Sequence, residues 1–73
     1  MPTLEDSLVY QHPQISGFQM YKLSDEQYVT FLTVNRWVIW REFRRGPEPT
    51  GRWGEETGLN DTYAYKAFIM ENL

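Results

Sequence analysis

The densest chemistry in the chain is the run Arg36-Trp37-Val38-Ile39-Trp40-Arg41-Glu42-Phe43-Arg44-Arg45, resumed by Arg52-Trp53 after a stretch rich in glycine and proline. A guanidinium pairs in a forked geometry with carboxylates and phosphates. Trp, Tyr and Arg are the residue types enriched where protein partners bind most strongly. The same types can hold nucleic acid, with Arg on phosphate and rings stacked on bases. Trp37, Trp40, Arg41, Phe43, Arg44, Arg45, Arg52 and Trp53 are therefore the candidate partner-binding residues. Any one ring can instead serve the core, because a domain this small depends on its aromatics for burial. The run as a whole exceeds that need. The hairpin it builds is apolar on both faces, and a single helix covers one. The expected binding patch is an uncovered Phe31/Trp40 surface rimmed by Arg44.

Groups able to do catalysis are sparse. His12 is the single histidine, sits beside Pro13 and is expected to be a solvated side chain. With no cysteine and one histidine, zinc lacks its usual ligands. Glu55, Glu56 and Asp61 read as a solvated acidic loop and a helix cap, since their spacing is not that of a calcium loop. Adjacent glutamates on a glycine-flanked loop have no pocket to split their pKa values, as an acid–base pair requires. Gly51-Arg52-Trp53-Gly54 and Gly58 do not form a phosphate loop, because no Lys-Ser/Thr follows at a helix start. Ser7, Ser16 and Ser24 have no base in prospect. The expectation is a binding protein, not an enzyme, with no cofactor and no metal.

The elements that must position the Arg–aromatic run belong to one domain, since 73 residues allow no more. The net charge of −3 is unevenly placed. Residues 1–26 hold Lys22 against Glu5, Asp6, Asp25 and Glu26, a balance of −3. Residues 36–53 hold Arg36, Arg41, Arg44, Arg45 and Arg52 against Glu42 and Glu48, a balance of +3. Residues 55–73 return to −3, with Lys66 against Glu55, Glu56, Asp61 and Glu71. Acidic ends flanking a basic centre favour a protein surface of mixed charge over a nucleic acid, whose binders show a clear basic excess. No signal peptide or membrane span is visible, and the lack of cysteine fits a reducing cytoplasm.

Residues 1–16 show no sustained period and are expected to be a largely flexible arm. Within it, Leu8-Val9-Tyr10 could make a short edge strand or a docking segment. Phe18–Leu23 reads as a strand, Ser24–Gln27 as a turn, and Tyr28–Val34 as a strand rich in β-branched and aromatic residues. Asn35-Arg36 is the hairpin tip, with a longer turn as the alternative because Arg is unusual at the second position. Trp37–Arg45 is the returning strand. A two-residue tip pairs Val34 with Trp37, Leu32 with Ile39, Thr30 with Arg41 and Tyr28 with Phe43. That face is the expected core, although a one-residue slip would exchange the faces. Residues 46–51 read as loop, since proline interrupts a central strand, and Arg52-Trp53-Gly54 as a brief return to the sheet or a loop anchor. A helix capped by Asn60 or Asp61 follows and runs to about Asn72, with Ala64, Ala67 and Phe68 central to its apolar stripe and Tyr65 and Ile69 at its edges. The expectation is an α+β fold over residues 17–73: a three-stranded antiparallel meander with a C-terminal helix.

In its length, absence of cysteine, Arg–aromatic hairpin and short C-terminal helix, the chain resembles small regulators of lytic phages of the p seven type, which bind the host's RNA polymerase. The resemblance covers the whole chain in general character, without a discrete motif. It implies docking on the N-terminal segment of the bacterial polymerase β′ subunit, displacement of σ, inhibition of promoter-dependent initiation, and antitermination with NusA near the RNA exit channel. It also implies action in the host bacterial cytoplasm, and a monomer is expected. The alternatives left open are a small DNA- or RNA-binding accessory domain and an inhibitor of another host protein.

Overall fold

A computed structural model describes residues 7–73. They form an α+β fold of five antiparallel strands in meander order, followed by a C-terminal helix. The strands are β1 Leu8–Gln11, β2 Phe18–Ser24, β3 Gln27–Val34, β4 Trp37–Arg44 and β5 Glu48–Glu56, and the helix α1 is Thr62–Asn72.

Short turns impose the meander. Ser24 pairs with Gln27, so Asp25-Glu26 closes the β2–β3 turn. Val34 pairs with Trp37, which makes Asn35-Arg36 a two-residue tip. Only Asn35 of that pair has positive φ, at 55°, the sign pattern of a type II′ turn. From the tip, pairing proceeds without a slip through Leu32–Ile39, Thr30–Arg41 and Tyr28–Phe43, the register expected from sequence.

Two strands lie outside the expected three-stranded meander, although the sequence offered each as an alternative: Leu8-Val9-Tyr10 as a short edge strand and Arg52-Trp53-Gly54 as a brief return to the sheet. β1 pairs with β2, so part of the expected arm belongs to the sheet, while residues 1–6 lie outside the described residues. His12 organises the β1–β2 connection: its Nδ1 accepts the backbone N–H groups of Gln14 and Ile15, both at 3.0 Å. It is thus a structural turn residue as well as a partly exposed one. β5 extends through Pro49 because it is an edge strand, where proline's missing donor is tolerated. Residues 48–51, read from sequence as loop, are therefore strand.

The expected core face is overturned. Tyr21, Val29, Phe31 and Val38 are buried with Ile69 of α1, and Leu8, Leu23, Trp40, Tyr65, Met70 and Leu73 pack around them. These strand residues alternate with the set Tyr28/Phe43, Thr30/Arg41, Leu32/Ile39 and Val34/Trp37, so the helix covers the other side. Tyr21 and Phe31 meet edge-to-face at 5.6 Å, an arrangement that adds to their area burial. On α1 the inward line is Tyr65, Ile69 and Leu73 at i, i+4, i+8, whereas Phe68 is 59% exposed. The stripe therefore lies about one residue away from the one read from sequence. Asp61 is the cap, its Oδ1 accepting the Ala64 N–H at 3.0 Å.

Candidate functional site

Side chains alternate between the two faces of a strand, so the Arg–aromatic run is divided. Trp37, Ile39, Arg41 and Phe43 fall on the face opposite α1, while Val38, Trp40 and Glu42 fall beneath it. Arg44 follows the second set by alternation. The expected Phe31/Trp40 patch is thereby ruled out as a surface: Phe31 is fully buried, and Trp40 is half-buried against the core. Trp40 lies over Gly54, where a Cβ would come within 2.7 Å of the indole Nε1. Only glycine leaves room for that ring.

β5 is bulged where it passes Glu42. Arg41 pairs with Trp53 and Phe43 with Pro49, so Thr50-Gly51-Arg52 lies opposite one residue. Gly51 takes φ +92°, a conformation that L side chains rarely adopt. The bulge turns both Thr50 and Arg52 toward Glu42. Thr50 Oγ1 donates to Glu42 Oε1 at 2.7 Å, and Arg52 lies 3.7 Å from Oε2. Gln27 Nε2 donates to Glu42 Oε2 at 2.7 Å and to the Leu73 carbonyl at 3.0 Å, which ties the end of the helix into the same cluster. Burial by itself would push the Glu42 carboxyl up. The hydrogen bonds from Thr50 and Gln27, with the charges of Arg52 and Arg44, outweigh it and hold the group below its ordinary value. Arg52 is thus committed to an internal pair, and its neighbour Trp53 is placed on the open face, 61% exposed.

The basic stripe is dispersed in the same way. Arg36 clamps the loop before the helix, donating through Nε to the Leu59 carbonyl and through a terminal nitrogen to Gly58 O and Asn60 Oδ1, each at 2.8 Å. The Leu59 N–H donates back to the Arg36 carbonyl at 3.0 Å. This accounts for arginine at the second position of the tip. Arg45 lies 3.8 Å from Glu26 in an exposed pair. Glu55 and Glu56 are consecutive in β5 and point to opposite faces, so they do not converge.

What remains together is the open face. Phe18, Leu32, Ile39, Phe43 and Trp53 line a shallow hollow with Arg41 among them. A second hollow, bounded by Met20, Tyr28 and Pro47, shares Phe43. Trp37 and Val34 continue the apolar surface to the hairpin tip, 40% and 49% exposed. Among the described residues no strand or helix packs across this face. Of the expected binding residues, Trp37, Arg41, Phe43 and Trp53 share it; Trp40 borders the first hollow and Arg44 the second, although alternation assigns both to the helix side, and Arg45 and Arg52 line neither. Phe18, Met20, Leu32 and Ile39 join it unannounced. The register carries the signal for Leu32 and Ile39, which it pairs on the face that sequence alone makes the core. Comparison with protein-family models, curated proteins and solved structures finds no match to the chain.

Proposed function

We propose that the chain is a protein-binding transcription regulator of phage origin. It docks on host bacterial RNA polymerase, inhibits promoter-dependent initiation by displacing σ, and promotes antitermination in the host cytoplasm. The observation that carries the binding part is the open sheet face, where Trp37, Phe43 and Trp53 stand among aliphatic residues with no strand or helix of the described residues across them. A surface of large rings around one arginine has the composition of a protein-binding hot spot. The choice of polymerase, through the β′ N-terminal segment and with NusA, rests on the whole-chain resemblance to small lytic-phage regulators.

The test is binding of the intact chain to purified host core polymerase and holoenzyme, followed by promoter-dependent transcription and termination assays. Binding at micromolar concentration or tighter, with loss of promoter-dependent product and read-through at a terminator, is expected. No binding to either form at that concentration removes the polymerase assignment and leaves the inhibitor of another host protein as the reading.

A further inference from the structure

Resting on the reading of this chain as a protein-binding module, we infer that the open face receives an apolar partner segment bearing one carboxylate, which pairs with Arg41. Arg41 is the member of the arginine run that stands in the middle of an apolar surface, with Trp53 beside it and Phe43, Leu32 and Ile39 around the same hollow. Arg36, Arg45 and Arg52 are held by carbonyls or carboxylates of the chain itself, while Arg44, which has no ion pair among the described residues, alternates to the helix side, where its charge acts on Glu42. No carboxylate of the described residues lies within ion-pairing distance of Arg41. The other cation on this side, Lys22, is paired with Asp25 at 3.3 Å.

The charge count selects the occupant. On this face one unpaired guanidinium, Arg41, stands ringed by aliphatic and aromatic groups and complements one carboxylate flanked by apolar side chains. A nucleic-acid backbone brings several phosphates and calls for several free cations, and Glu55 stands on this face opposite Ile39. The rings raise the strength of the pair, because a partner that displaces water over Trp53 and Phe43 lowers the local dielectric around the guanidinium.

Two measurements on the intact chain test this. In the first, a random 16-residue peptide display library is selected on the wild-type chain. Enriched sequences should carry Asp or Glu between apolar residues, and the resulting synthetic peptides should bind Arg41→Gln about tenfold and Arg41→Glu about a hundredfold more weakly. Glu71→Gln, on the exposed side of α1, should bind them as the wild type does. No enrichment, enrichment without acids, or equal binding to Arg41→Glu overturns the inference. So does dimerisation abolished by Trp53→Ala, which assigns the face to a second copy, or tight binding of a single-stranded oligonucleotide that depends on Arg41. In the second measurement, the same variants are titrated against host core polymerase, with thermal melts confirming that each is folded. Wild-type binding that Arg41→Glu leaves intact overturns the inference while the polymerase reading stands. Absence of wild-type binding removes the polymerase reading, and the peptide result then decides the inference independently.

Discussion

The two faces of one sheet are built from alternating residues of the same strands, yet they solve opposite problems. Beneath α1, Val29, Phe31 and Val38 are fully buried, and the charged residue among them, Glu42, is satisfied by Thr50, Gln27 and Arg52. On the open side, Arg41 stands among Phe18, Phe43 and Trp53 with no such partner among the described residues. A buried charge without compensation is costly, so the covered face had to bring its own counter-groups. The open face keeps its arginine hydrated and can leave pairing to a partner. The contrast separates residues that hold the fold from residues available for recognition, although both belong to the same ten-residue run.

The comparison can be broken most sharply in the core. Phe31→Ala is expected to cost about 3–5 kcal/mol, enough to unfold much of a domain this small, and a thermal or urea melt measures it. An open-face counterpart that costs as much would show that the two faces are not distinct. Next is Glu42→Ala, which strands Thr50 and Gln27 and frees Arg52. Because Arg52 is itself more than half exposed, the expected loss is about 2–3 kcal/mol.

Glu42 also sets a pH dependence. Its carboxyl titrates below the ordinary value in the folded state, so its contribution is complete above the unfolded pKa of about 4.3 and is lost as pH falls through the folded value. Wild-type stability should therefore decline more steeply on acidification than that of Glu42→Gln, as read by denaturant midpoints at stepped pH. A parallel decline in the two proteins would place the acid sensitivity elsewhere. A smaller effect is expected for Arg36→Ala, about 1 kcal/mol, with faster hydrogen exchange at the Leu59 amide, because the clamp on residues 58–60 is lost. Trp53→Ala should change stability least, by less than about 0.5 kcal/mol, while removing most partner affinity. A large drop in melting temperature would make Trp53 a structural residue and blunt the distinction between the faces.

Local chemistry was legible from the chain alone. The Val34–Trp37 register follows from a two-residue tip in which Asn accepts positive φ, and the helix follows from Asp61 as a cap ahead of a periodic stretch. Both depend on neighbours within a few residues. Strand β5 was legible only as a possible brief return at Arg52-Trp53-Gly54, because Pro49 and Gly51 read as loop until an edge position and a bulge give each a place. β1 was legible only as one of two alternatives, because four residues without a strong period acquire strand geometry only from the edge of β2. Which face is core was beyond the sequence as well. Both faces of the β3–β4 hairpin are apolar, and alternation makes them equivalent until the helix is laid on one. The line Tyr65, Ile69 and Leu73 made that choice, together with the partners that satisfy the buried Glu42. The division of the Arg–aromatic run is therefore a tertiary decision: long-range packing set Arg52 beside Glu42 and placed Arg41 on the open face without a carboxylate partner among the described residues.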